Sequence, residues 1–172
     1  MPAGHVHYKQ WKRTVGMSPL LAAIVFAGAY NTGVVNPISV TLGTMVGSFL
    51  GRWIDPDLDL IGITNAESRM MRDLKLMGAF LTAWWIPYSY LMRFIGIGKK
   101  GHRNVFSHFP GISTAIRVAW LLAFPPISGA IYWLHTVSDL SRFYPYGGAF
   151  ILGLTIGLTF TDTVHYIADM RS

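Results

Sequence analysis

The placing of charge constrains this chain more than any motif does. Arg13 to Arg52 encloses 38 uncharged residues, Lys75 to Arg93 encloses 17, Arg117 to Asp139 encloses 21, and Arg142 to Asp162 encloses 19. An α-helix needs about 20 mainly apolar residues to cross a bilayer, so three of these runs are long enough and the fourth nearly so. An ordinary soluble domain carries about 25% charged residues. Here the figure is 13%, against 52% hydrophobic residues and a mean hydropathy of +0.39. The alternative is a soluble all-helical protein with an unusually greasy core. The expected reading is a membrane protein, forming one helical domain over 1–172.

The N-terminal stretch MPAGHVHYKQWKRTVG lacks the order of a cleavable signal, because two histidines precede its basic residues and the apolar run continues into a second segment. The absence of cysteine rules out disulfides and thiolate metal ligands. A net charge of +6 would suit nucleic acid. The basic residues stand at the ends of apolar runs, however, as on the cytoplasmic side of a membrane protein. Membrane lipids are the expected surroundings, and no nucleic-acid partner is expected.

Local signals divide the runs. SPLLAAIVFAGAY (18–30) is followed by the turn-forming NTGVVNP, and then by ISVTLGTMVGSFLGRW. Gly43, Gly47 and Gly51 recur four apart, and Gly153 and Gly157 repeat the pattern, so neighbouring helix backbones can approach closely; a lipid-binding groove is the other reading. Thr64 and Glu67 form a capping box that starts a helix near Asn65. Pro87 is expected to kink or break that helix, and Pro125 and Pro126 interrupt the next apolar run. No strand-like alternation or internal repeat is visible. The expected fold is therefore all-α and multi-pass, with crossing helices near 17–31, 37–53, 112–134 and 147–168. A Pro-broken re-entrant or interfacial hairpin is expected at 76–98.

The polar chemistry sits mostly in four knots: His5/His7, Asp55/Asp57/Asp59, His102/His108 and Asp162/His165/Asp169. Histidine and carboxylate are the N and O ligands of zinc and other first-row metals. Asp162, His165 and Asp169, at offsets 0, 3 and 7, share one stripe of a helix; such a stripe reads equally as a polar helix end at the interface. Three acids in WIDPDLDL repel one another unless a cation lies among them. His102 and His108, six apart, need a bend between them. With 76–98 not crossing, all four knots fall on the side that carries Lys9, Lys12, Arg13, Lys99, Lys100 and Arg103, the cytoplasmic side.

The motifs MPAGHVH, DPDLD, WWIPYSY, HRNVFSH, FPGISTAIRVAWLL and DTVHYIADM, in this order over nearly the whole chain, resemble a family of small prokaryotic membrane proteins described as metal-binding. That family is distantly similar to LexA-regulated, membrane-bound metal-dependent hydrolases, and both resemble the all-helical zinc-dependent phospholipase C and P1 nuclease superfamily. The resemblance implies a metal site built from His7, Asp57, Asp59, His102, His108, His165 and Asp169. It also implies residence in the prokaryotic inner membrane. Zinc is the expected ion, with manganese next.

Two functions follow. One is a membrane-bound metal-dependent hydrolase of a phosphoester, of a phospholipid or another substrate. Asp57 or Asp59 would act there as ligand or general base, and Arg103 would hold a phosphate oxygen through its planar fork. The other is a non-catalytic metal-binding membrane subunit or scaffold, as a homo-oligomer or within a larger complex. Transport, a third class, needs polar residues at mid-membrane depth, and the charge-free runs offer few.

Overall fold

The structure, a computed structural model, describes residues 4–55, 58, 64–95, 109–137 and 144–170. Among them every regular element is helical: α1 (Gly4–Thr32), α2 (Pro37–Leu50), α3 (Asn65–Ile95), α4 (Ile112–Leu122), α5 (Pro125–Val137) and α6 (Tyr144–Met170).

Helix α1 begins further upstream than the apolar run, so His5 and His7 lie on its first turns. Pro19 sits inside it. A proline there displaces the carbonyl four residues back, which is that of Val15, and the Ser18 hydroxyl donates to this oxygen at 2.7 Å. The helix ends at Gly33, whose φ of 63° is the left-handed conformation glycine tolerates. The Gly33 N–H bonds Ala29 O at 3.0 Å, closing the C-terminus as an αL cap. Asn36 then caps α2 by accepting from the Ser39 N–H at 2.9 Å, with Pro37 in the first turn. The expected break at 31–37 is thus a capped turn between two helices.

Helices α2 and α6 meet backbone to backbone. A Cβ added at Gly43 or Gly47 would overlap the carbonyl oxygen of Phe150 or Leu154; one at Gly153 or Gly157 would overlap that of Val40 or Thr44. The two glycine stripes therefore face each other as one seam, the close packing that their spacing calls for.

Thr64 and Glu67 open α3 as a reciprocal capping box. The Thr64 N–H donates to Glu67 Oε2 at 2.6 Å, and the Glu67 N–H to Thr64 Oγ1 at 3.3 Å. The break expected at Pro87 is corrected: α3 continues through it, and the chain turns instead at Lys75 (φ 52°, ψ −120°). Beyond that turn Gly78 packs so closely on Met70 that a Cβ would overlap the Met70 carbonyl. Trp85 and Tyr88 are fully buried in the main core with Met70, Met92, Val118, Leu154 and Leu158. Trp84 and Trp120 each donate their indole N–H to the other's carbonyl, at 3.1 and 3.2 Å, which docks α3 on α4.

By length and composition two helical stretches, Trp11–Thr32 and Tyr144–Ile167, suffice to cross a membrane. The pair α4 and α5, bent by 66° at the Pro125–Pro126 break, makes a third if it counts as one span. Helix α2, with 14 residues, is about 21 Å long at 1.5 Å per residue, short of the ~30 Å hydrocarbon core. The four crossings expected from sequence are not shown.

Candidate functional site

The polar groups collect at one end of the helices. Trp11 and Thr14 of α1, Gly51 and Asp55 after α2, Arg69 of α3, and Thr161, Val164 and His165 of α6 line a small cleft with about 30 Å³ of accessible space. That is room for a water or two or a single ion. Asp55 and His165, both buried, meet the cleft from different elements. Arg69 Nη2 contacts Asp55 Oδ2 at 3.2 Å, while its Nε donates to Arg52 O at 3.1 Å. The cleft is thus lined by an imidazole, a carboxylate and a guanidinium.

A second pair joins α4 to α6. Arg117 of α4 and Asp162 of α6 are each 1% exposed and joined by an ion pair. Thr114 donates to the same Asp162 oxygen. Arg117 also donates to Ile54 O at 3.2 Å, Ser113 O at 3.3 Å and Ser113 Oγ at 3.3 Å. Every arm of this guanidinium is occupied, the condition under which a buried charge is tolerable.

On the rim, Asp73 is gripped by Arg52 at 2.8 Å, Trp53 at 3.2 Å and Arg72 at 3.1 Å. Partial burial pushes its carboxyl up, but these donors outweigh burial and hold it below the usual aspartate value. The Arg52 guanidinium lies 4.9 Å from the Trp11 ring centroid, which ties the start of α1 to this corner.

A family profile described as an uncharacterized metal-binding protein, DUF2227, matches residues 2–172. The chain belongs to the DUF2227 family. No curated protein and no solved structure matches it.

Of the expected ligands of this DUF2227 chain, the structure brings His165 to the cleft. Asp57, Asp59, His102 and His108, with Arg103, lie outside the described residues, as do the side chains of His7 and Asp169. His7 stands on the first turns of α1 and Asp169 on the last of α6, at the end that carries the cleft. Thr114, just past the 99–111 knot, bonds Asp162 and so anchors the start of α4 at that end too. Among the described residues no three His, Asp or Glu gather as a ready-made ion site. Asp162, part of the stripe in the sequence, turns to Arg117 and Thr114.

Sequence reasoning passed over Arg117, Arg69 and Thr114. The signal for Arg117 was available: a lone guanidinium within ISTAIRVAWLL must find a carboxylate if that helix is buried. Arg69 gave no such signal, since it lies in a charged stretch where solvation is the ordinary expectation.

Proposed function

We propose that this chain is an integral membrane protein that holds a divalent metal ion at the polar end of its helices, as a metal-binding subunit or scaffold. The observation that carries the reading is the cleft, where His165 supplies a nitrogen donor and Asp55 an oxygen donor, the set zinc and manganese accept. Family membership supports the metal. His7, Asp57, Asp59, His102, His108 and Asp169 complete the proposed ligand supply. Exposed apolar side chains along α1 and α2, Leu20, Ile24, Ile38 and Leu42 among them, suit lipid contact. Lys12 and Arg13 at the start of the first candidate span favour a cytoplasmic cleft in the inner membrane.

Metal analysis of the purified protein tests this: bound zinc or manganese is expected, and His165→Gln should lower it while helical content is kept. Protein that binds neither ion from a buffered titration sinks the proposal.

A second reading is hydrolysis of a phosphoester, which would require an ion that keeps a position for water, whereas a structural ion is enclosed. Zinc would supply a water ionising near neutrality and a Lewis acid for the phosphoryl oxygen. Asp57 or Asp59 would take a proton, and Arg103 would orient an oxygen of a phospholipid or other phosphoester. Metal-loaded protein should then hydrolyse a phosphoester in a chelator-sensitive way and lose turnover in Arg103→Ala. Loaded protein without turnover leaves the scaffold reading in place.

A further inference from the structure

The cleft marks one end of the helices, and the opposite end has a chemistry of its own. The cleft is lined by the start of α1, the segment after α2 and the later part of α6. Tyr30 near the end of α1 and Pro145 and Tyr146 at the start of α6 line a separate open groove. From Thr14 to Tyr30 α1 runs about 24 Å, and from Tyr146 to His165 α6 runs about 29 Å, at 1.5 Å per residue. Both lengths are close to the ~30 Å hydrocarbon core. The groove and the cleft are therefore about one hydrocarbon thickness apart.

Five aromatic side chains, Tyr30, Tyr132, Trp133, Tyr144 and Tyr146, gather at the far end, each 50–71% exposed. His135 Nδ1 lies 2.6 Å from Tyr144 Oη, which joins the last turns of α5, with Tyr132 and Trp133, to the first turn of α6. The described residues there include no Lys, Arg, Asp or Glu, whereas Lys12, Arg13, Arg52, Arg69 and Arg72 stand toward the cleft end. A ring with one polar edge suits the headgroup layer of a bilayer, its body toward the acyl chains and its O–H or N–H toward water.

The His135–Tyr144 contact also bears on the bent pair α4 and α5. Two helices bent by 66° at a short break are either a broken span or a re-entrant loop. A re-entrant loop returns to the side it left. Here α4 starts at the cleft end, where Thr114 bonds Asp162 and Arg117 bonds Ile54 O. At its other limit α5 meets Tyr144, the first residue of α6, at the far end.

We propose that Tyr30, Tyr132, Trp133, Tyr144 and Tyr146 form a collar seated in the headgroup layer of the leaflet opposite the cleft, and that α4 and α5 together are one bent crossing. This rests on the integral-membrane part of the proposed function and is independent of the metal. The collar faces the non-cytoplasmic side, because Lys and Arg are concentrated toward the cleft end.

The chain has no cysteine, so single cysteines carrying a nitroxide report depth without background. In full-length protein in phosphatidylethanolamine–phosphatidylglycerol vesicles, the label at Tyr132→Cys should sit about 15 Å from the bilayer centre, half the hydrocarbon thickness. The label at Ile24→Cys, on an exposed position deeper along α1, should sit about 6 Å from the centre. In intact cells a membrane-impermeant maleimide should modify Thr136→Cys and leave Arg13→Cys unmodified until the membrane is opened. Should Tyr132→Cys fail to insert, Tyr30→Cys takes its place with the same expected depth. A collar label as deep as the one at Ile24→Cys, or free in water while Ile24→Cys stays buried, overturns the proposal. So does modification of Thr136→Cys and Arg13→Cys from one side. Labels in water at both depths end the integral-membrane reading as well, and leave metal binding to its own test.

Discussion

A guanidinium in the middle of ISTAIRVAWLL gives up its water on folding, and Asp162, two carbonyls and a serine hydroxyl replace it. Removing one member leaves the other charged and buried, which costs about 3–5 kcal/mol, whereas replacing both with apolar residues is often neutral. Arg117→Ala should therefore lower unfolding stability in micelles by that amount, and Arg117→Met with Asp162→Leu should recover most of it. Equal losses in the single and double variants would mean that the pair is not the source. Two acids outside the candidate spans set a pH dependence of opposite sign. Burial raises Glu67 against its Thr64 bonds. Between the unfolded value of 4.5 and the raised folded one, the native state holds the extra proton, so this contribution falls as pH rises through that window. Asp73, held down by Arg52, Trp53 and Arg72, contributes stability that is present above 3.8 and lost as pH falls through its folded value. Stability measured against pH should flatten above 4.5 in Glu67→Gln and below 3.8 in Asp73→Asn.

Helix against helix, the glycine seam is the least forgiving contact. Gly153→Ala must push α2 away from α6 and should destabilise by several kcal/mol on the overpacking scale of about 1–3 kcal/mol or more. Gly28→Ala, on the same kind of apolar helix but with nothing within 4 Å, should be neutral or stabilise by up to about 1 kcal/mol. Thermal unfolding of the two variants side by side checks this. Lys75 holds a conformation at φ 52° that strains a side chain, so Lys75→Gly should stabilise by about 1 kcal/mol. These elements also show what could be read from sequence. The capping box, the Asn36–Pro37 start and the four-residue glycine spacing depend on neighbours a few positions away, and each is visible in a short quotation. The turn at Lys75 carries no glycine or proline. Gly78 packs on Met70 across it, a tertiary fact, and Pro87 passes through a helix it was expected to kink or break, between the buried Trp85 and Tyr88.

Across the whole molecule, the bunching of polar residues was legible in the sequence. His165, Asp55 and the Trp11–Thr14 part of α1 line one cleft, while most of the expected ligand set lies outside the described residues. What escaped was the division of the acids, because Arg117 lies 45 residues from Asp162 and no local spacing links them. The expected topology puts Ser68 and Ser138 on opposite faces of the membrane. Since the chain has no cysteine, a single cysteine at either position reports one side without background, and labelling of both from one side would refute that topology. The same 45-residue interval has a consequence in time. At about 5–20 residues per second, a nascent chain exposes Arg117 roughly 2–9 s before Asp162 exists to meet it. Until α6 is made, α4 carries a guanidinium with no acid to receive it, and chains stopped before Tyr144 carry it for good. The pairing of α4 with α6 can thus form only after synthesis has passed Asp162.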